Sequence, residues 1–392
     1  MEPAPVSFEN TEVAFKSKSN GDLKKAYYLF KLIGNPALVK VGDVMTNIAL
    51  SLHIPIGWAI KGNIFKQFCG GETIAECARA TKLLDEGNIG TILDYSVEGK
   101  ESEKDFDATA EETLKTIQTA HNNKHIPFCV FKVTGVARFA LLEKVNAKEE
   151  LSDAEVAEWQ RVRSRVDRIC ALSAKTGTPV FIDAEDSWIQ DAIDDLTNEM
   201  MELYNGTKAI VFNTIQLYRH DRLAFLKRCH DEAKSKGYKL GFKLVRGAYM
   251  EKERARAEEK GYQDPIQPNK EASDRDFNLA LEYCVENIND IAICCGSHNE
   301  ESNMKLAQML DQKGIARNDE RVYFAQLFGM SDHISFNLAN GGYNVAKYVP
   351  YGPIREVIPY LIRRAKENTS VKGQTGRELS LIIKERKRRK LA

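Results

Sequence analysis

The sequence predicts an α/β protein, a (β/α)8 barrel of the TIM type with an N-terminal helical extension. Three observations predict it. Eight short, apolar, β-branched runs follow one another between residues 89 and 349. An amphipathic helical pattern precedes each run, and such alternation builds parallel strands through βαβ units. No Gly-x-Gly-x-x-Gly follows the first run and no Gly-Lys-Ser/Thr loop occurs, so dinucleotide-binding open sheets and P-loop folds lack support. Eight repeats of the unit favour closure into a barrel.

The elements follow in order. Residues 1–68 read as a helical, irregular extension, with one helix over Asp22–Phe30. The barrel rhythm starts at Gly70, and the barrel domain spans 69–380. Its pairs are helix Glu72–Gly87 before run Ile89–Tyr95, helix Ala108–Asn122 before Ile126–Val133, and helix Asp153–Lys175 before Pro179–Asp183. Then come helix Ile189–Tyr204 before Ala209–Tyr218, and helix Asp221–Lys236 before Tyr238–Val245. Helix Ser273–Asn287 precedes Ile291–Cys295, Glu301–Gln312 precedes Val322–Leu327, and Asp332–Ala339 precedes Val345–Val349. A last helix enters at Gly352-Pro353, where proline fits the first turn because its missing N–H costs nothing there. This helix is expected over the C-terminal ends of the strands. Its apolar face is Ile354, Val357, Ile358, Leu361 and Ala365. Tyr360, Arg363, Arg364 and Glu367 fall in a neighbouring sector, with Arg364 at the edge of the apolar face and expected to be half buried. Residues 381–392 form a basic tail, Lys384-Glu385-Arg386-Lys387-Arg388-Arg389-Lys390, a candidate for peripheral contact with anionic lipid or a solvated end.

Composition limits the function. With 392 residues, 43% hydrophobic and zero formal net charge, the chain suits one large domain or one with an appendage. Neutrality gives no global pull toward nucleic acid. The eight cysteines form no Cys-x-x-Cys pair and read as buried thiols of a reducing compartment. Glu2, Glu9 and Glu12 crowd the start, where no secretory or mitochondrial signal is visible. That fits the cytoplasmic side of a bacterial membrane, or a matrix-side mitochondrial chain already trimmed. Met45–Ile60 is the most apolar stretch, too short to span a bilayer and read as a packed helix and turn.

Polar residues at the C-terminal ends of barrel strands line active sites. Here they are Lys132, Asp183 with Glu185, Gln216 with Tyr218, Lys243 to Tyr249, Ser297-His298-Asn299, Gln326 and Tyr348. Each has a bland reading. Lys132 can simply pair with Asp183, and His298 can be a structural histidine. Asp183, Glu185 and His298 make a sparse set for a metal and no local motif supports one, so no metal is assigned. Arginines on the last helix with a lysine below suit an anionic group. Tyr218, Tyr249, Tyr348 and Tyr360 suit a flat or ringed ligand. From the residues alone this is a barrel for a small carboxylate, with room for a planar cofactor.

Three stretches carry a resemblance. Lys243-Leu244-Val245-Arg246-Gly247-Ala248-Tyr249, Gln326-Leu327-Phe328-Gly329-Met330, and Tyr348-Val349-Pro350-Tyr351-Gly352 through Tyr360-Leu361-Ile362-Arg363-Arg364-Ala365-Lys366-Glu367-Asn368 resemble the proline dehydrogenase family over residues 70–380. The chain is too short for the aldehyde dehydrogenase module of bifunctional relatives, so it is similar to the monofunctional, mitochondrial-like type. The resemblance implies an FAD-binding barrel that oxidises L-proline to Δ1-pyrroline-5-carboxylate, the first step of proline catabolism to glutamate. It implies a hydride passing to non-covalent FAD and reoxidation by membrane quinone. It also implies the roles. Lys132, Arg363 and Arg364 hold the substrate carboxylate; Leu327 and Tyr348 wall the ring, and Tyr360 contacts it. Asp183 and Lys243 lie at the reacting end. Ala184, Gln216, Lys243, Arg246, Gly247, Ala248, Ser297 and His298 serve the cofactor.

The sequence departs from the family pattern at two of these positions. Lys243 stands where bacterial relatives carry an arginine, and an ammonium lacks the guanidinium fork. Ser297 replaces a threonine and keeps the hydroxyl. Ala184, for its part, offers only its backbone. Three rivals remain open: a Schiff-base lyase on Lys132 or Lys243, a carboxylate- or flavin-binding barrel without activity, and a hydroxyproline-preferring relative, which the size of Tyr348 disfavours.

Overall fold

The computed structural model describes residues 6–34, 64–97, 101–370 and 374–391, with side chains described except at 364–370 and 374–375. The apolar stretch 45–60 lies outside the described residues. Eight parallel strands close into a barrel in chain order. They are β1 (Gly90–Tyr95), β2 (Phe128–Lys132), β3 (Val180–Asp183), β4 (Val211–Gln216), β5 (Leu240–Val245), β6 (Ile291–Gly296), β7 (Val322–Leu327) and β8 (Val345–Tyr351). Each coincides with one of the eight apolar runs. Their interiors are almost wholly buried, as parallel strands covered by helices require.

Ahead of β1 lie helices α1 (Thr11–Ala14), α2 (Asn20–Ile33), α3 (Lys66–Phe68) and α4 (Ile74–Asp85). Between β1 and β7 run α5 (Glu103–His121), α6 (Phe139–Asn146), α7 (Asp153–Thr176), α8 (Ser187–Tyr204), α9 (Arg222–Lys236), α10 (Met250–Lys260), α11 (Lys270–Glu286) and α12 (Glu300–Gln312). Then come α13 (Asp332–Asn340), α14 (Ile354–Ser370) and α15 (Gln374–Arg388). Local chemistry sets several starts. Ser19 and Ser152 form capping boxes with Asp22 and Glu155, and Ser102, Asn269 and Asn299 accept from the first turns of α5, α11 and α12. Two helices, α6 and α10, go beyond the periodic pattern. α6 is only eight residues long and begins without a side-chain cap. α10 reads Met-Glu-Lys-Glu-Arg-Ala-Arg-Ala-Glu-Glu-Lys, charged nearly all round, and it forms on intrinsic helix propensity with little apolar stripe.

The chain divides into two compact units, Met1–Val97 with Gln326–Ala392, and Glu98–Ala325. In the second unit an aromatic plug fills the interior below the strand ends. Phe128 stacks on Phe181 at 4.4 Å, and Phe212 and Tyr323 meet Phe128 edge-on at 5.5 and 4.8 Å. Such pairs add about 0.5–1.5 kcal/mol each beyond burial. In the first unit, Phe15, Leu23, Phe30, Phe65 and Phe68 share one core with Val357, Tyr360 and Leu361 of α14 and Leu381 and Ile382 of α15. Part of the basic tail is tied down there. Arg389 donates to the carbonyls of Phe15 and Lys18, both at 2.8 Å, and Lys384 pairs with Glu9 at 2.8 Å.

Candidate active site

Parallel register brings the C-terminal ends of β2 and β3 level, with Lys132 beside Asp183. Lys132 pairs with Asp183 at 3.0 Å, and Lys243 from β5 pairs with the other carboxylate oxygen. The Lys243 ammonium also lies 5.4 Å from the centre of the Phe181 ring, on top of the aromatic plug. Burial alone drives the Asp183 pKa up. The ammoniums of Lys243 and Lys132 outweigh it and hold the carboxyl below the usual carboxylate range. The bland reading of Lys132, a partner for Asp183, is therefore true of the geometry. It is incomplete, because the same carboxylate also holds Lys243 from β5.

A second buried carboxyl lies two residues on. Glu185 accepts from the Thr134 amide at 3.0 Å and from the Thr134 hydroxyl. Its own N–H donates to Gln190 at 2.7 Å, and its carbonyl accepts from Gln216 Nε2 at 3.1 Å. Behind Gln190 stands Asp194, which accepts from Gln190 at 3.0 Å, Asn213 at 2.9 Å and Arg222 at 2.6 Å. This chain fixes the amide of Gln216 through its nitrogen. Gln216 Oε1 is buried and has no hydrogen-bond partner among the described residues.

Burial pushes the Glu185 carboxyl up to about 7, against the opposing hydrogen bonds of Thr134. A raised carboxyl stabilises the fold fully below its unfolded value and loses that contribution as pH rises toward the folded value. Glu185→Gln removes the effect. Its stability relative to the native protein is expected to grow by about 3 kcal/mol between pH 4.5 and 7, at ~1.4 kcal/mol per pH unit. Urea unfolding at pH 5, 6 and 7 measures it, and a pH-independent difference contradicts the assignment.

The loop after β5 is laid against the end of β4. Leu217 and Tyr218 donate to the carbonyls of Val245 and Arg246, both at 2.8 Å. Gly247, at φ +142°, sits so close that a Cβ there meets the Tyr218 ring at 2.3 Å. Only glycine permits the approach. Gly247 and Ala248 are both exposed. Arg246 spans outward from this loop, bonded to Asp274 at 2.6 Å and to Ser297 and Ser302 at 3.0 Å. Ser297 is buried at the end of β6, and His298 follows it. Ala184 is buried beside Asp183. An orphaned buried acceptor at Gln216 and an exposed glycine backbone with donors beside it fit a flat, polar-edged group such as a flavin. Among the described residues no cluster of three or more His, Cys, Asp or Glu could hold a metal.

The first unit carries the other expected residues. Tyr348 is buried on β8, and its carbonyl accepts from the Phe328 amide at 2.8 Å. Leu327 is partly buried against the core that holds Tyr360. The α14 helix begins where expected, with the Pro353 carbonyl accepting from Glu356 at 2.8 Å and Val357 at 3.2 Å. Its apolar face is buried at Val357, Ile358 and Leu361, and Tyr360 joins it. Arg363 is half-buried, while the side chains of Arg364 and Glu367 lie outside those described.

Several supporting residues were not singled out in the sequence: Thr134, Gln190, Asp194 and Arg222. Of these, Asp194 carried a signal. Asp194 falls on the same α8 stripe as the buried Ile193 and Thr197, and an acid on such a stripe needs a buried partner.

Charge of both signs, buried at the C-terminal strand ends above a packed interior, is the layout of a (β/α)8 enzyme. The family model for proline dehydrogenase matches residues 77–377. The chain thus belongs to the proline dehydrogenase family of oxidoreductases. It is 33% identical to proline dehydrogenase 1, mitochondrial, of Dictyostelium discoideum, over 97% of this chain and 74% of that one. Against the human protein of the same name the identity is 40%, over 64% of this chain and 41% of the human one. A hydroxyproline dehydrogenase of Xenopus laevis is 30% identical over 98% of this chain and 90% of its own length. Among solved structures, proline utilization A (PutA) from Bdellovibrio bacteriovorus, inactivated by N-propargylglycine, superposes with a TM-score of 0.73 at 19% identity. That match covers 97% of this chain and 42% of the longer PutA chain, and it supports the fold.

Proposed function

We propose that the chain oxidises L-proline to Δ1-pyrroline-5-carboxylate with non-covalently held FAD and passes the electrons to membrane quinone. The observation that carries this is the family match over residues 77–377, which includes all the strand-end residues above. When bound, FAD supplies a two-electron hydride acceptor. The protein's share is orientation and electrostatics. Lys132 is proposed as a cation for the substrate carboxylate, and Arg363 and Arg364 likewise. Binding at the carboxylate orients the ring at a distance from the reacting carbon, which lowers the barrier through positioning. Leu327, Tyr348 and Tyr360 supply apolar walls for the pyrrolidine. Gln216 presents its carbonyl oxygen, an acceptor suited to a flavin N–H. Gly247 and Ala248 let the backbone approach, and Arg246, Ser297 and His298 supply polar contacts. Lys243 acts as a point donor beside Asp183, where an arginine offers a fork.

The mitochondrial names of relatives support a place on the matrix side of the inner membrane, or on the cytoplasmic face in a bacterium, with peripheral contact. Among the described residues no helix is long and apolar enough to cross a membrane. The relative from Xenopus laevis favours one second reading, hydroxyproline as substrate. The purified protein is expected to be yellow, to bleach on adding L-proline, and to turn over with a soluble quinone analogue but not with NAD. Acid precipitation should leave the colour in the supernatant. A colourless protein trapped by borohydride with substrate points instead to a lysine Schiff base. Faster bleaching by trans-4-hydroxy-L-proline selects the second reading.

A further inference from the structure

The turn after β7, Leu327 to Ser331, is held from several directions within its unit. Lys347 of β8 is only 1% exposed. Its ammonium donates to the Met330 carbonyl, to the Leu327 carbonyl at 3.4 Å, and to Asp332 at 2.7 Å. All three protons of a lysine are thereby used. Lys18 reaches the same Asp332 at 3.0 Å, so the carboxylate has two cations. Glu378 of α15 is buried, and its carboxylate accepts the Ser331 amide. Gln67 donates to the Gly329 carbonyl at 2.8 Å.

The turn needs such support. Ser331 adopts φ 49°, a left-handed conformation that side chains rarely take. Gly329 is at φ +77°, and a Cβ there lies 2.0 Å from the Gln67 carbonyl oxygen. A buried ammonium is a costly way to fill the space between a strand and a helix, where an apolar side chain packs equally well. Its cost is better explained by what it fixes. Alternation along β8 turns Lys347 and Tyr348 to opposite faces, so one residue holds the turn while the next points to the other side of the strand.

We propose that Lys347, with Glu378 of the terminal helix, is a positioning residue that sets the Leu327–Ser331 turn for binding of the substrate ring. The proposal rests on the reading of Leu327 and Tyr348 as ring walls. It makes α15 and the segment around Lys18 part of substrate selection without any contact to substrate.

The test uses the full chain with its flavin. Lys347→Met keeps the volume and leaves Asp332 paired with Lys18; Glu378→Leu removes the hold on Ser331. Each is expected to raise KM for L-proline about 5–30-fold with kcat within about twofold, because a displaced wall costs binding geometry before chemistry. Flavin per chain should be unchanged. The ratio of kcat/KM for L-proline over trans-4-hydroxy-L-proline should move at least about threefold, since the wall meets the ring and not the carboxylate. A lowered melting temperature with KM and that ratio within about twofold of the native values overturns the proposal, because it marks a purely structural network. Lys18→Met, at a less buried position, applies the same criteria should the other two fail to fold. A native protein that oxidises neither substrate overturns the underlying reading, and it is recognised before any variant is made.

Discussion

Replacing Asp183 by asparagine is expected to cost about 3–5 kcal/mol of stability and about a hundredfold in kcat/KM. The side chain is 14% exposed and carries the counter-charge for two lysines, of which Lys243 is 6% exposed. Asparagine keeps the shape and one acceptor but leaves two ammoniums facing each other in a site largely closed to water. Removing one member of a buried ion group costs far more than the group contributes as a whole. The catalytic loss follows from the same change, because Lys132 and Lys243 are held in place by that carboxylate. The pH signature is specific. Burial raises the Asp183 pKa and the two lysines lower it further than burial raises it, so its stabilising contribution is present above the unfolded value of 3.8. That contribution disappears as pH falls through the still lower folded value. The native protein and the asparagine variant should therefore converge in stability only in strong acid. The Glu185→Gln difference instead changes between pH 4.5 and 7. Denaturant unfolding from pH 3 to 8 separates the two carboxyls. A variant of native stability at pH 7 contradicts the assigned geometry.

Much of the barrel was legible because parallel strands covered on both faces must be apolar runs, and polar residues stand at or near the C-terminal ends of several of them. Lys132, Asp183 and Lys243 could be named from that phase alone. Their mutual pairing could be anticipated for Lys132 and Asp183, but not for Lys243, which reaches from β5 to the end of β3 over the Phe181 ring. Residues behind the site were harder. Arg222 opens a helix and reads as an ordinary surface cation, yet it is 1% exposed and bonded to Asp194. Lys347 sits inside an apolar run and was not singled out in the sequence. Its partners, two carbonyls and a carboxylate on the adjoining turn, are tertiary facts with no sequence period. Helix α10 escaped the pattern for a related reason, since periodicity detects a buried face and this helix has almost none. On α14, spacing placed Tyr360 in the polar sector beside the apolar face. Packing against Phe30, Leu381 and their neighbours draws its ring into the core.

That helix carries the second large effect. Alanine at Arg363 or Arg364 is expected to raise KM for L-proline strongly, with Arg364→Ala the greater. A charge-assisted hydrogen bond in a site that excludes water is worth ~1.5–3 kcal/mol, or ~10–150-fold in binding. Arg364→Lys should recover only part, because an ammonium is a point donor and cannot match both carboxylate oxygens at once. Flavin content should survive every one of these changes, since the proposed clamp would act on substrate and not on cofactor. Thermal stability should move little for Arg363→Ala, because the buried face of α14 is Val357, Ile358, Tyr360 and Leu361. The competing account makes the two arginines a solvated pair with Glu367 four residues beyond Arg363. It predicts near-normal kinetics, with at most ~0.5 kcal/mol of helix stability lost. A full proline titration on the two alanine variants decides between them: a KM unchanged in both ends the carboxylate clamp, whatever else the barrel does.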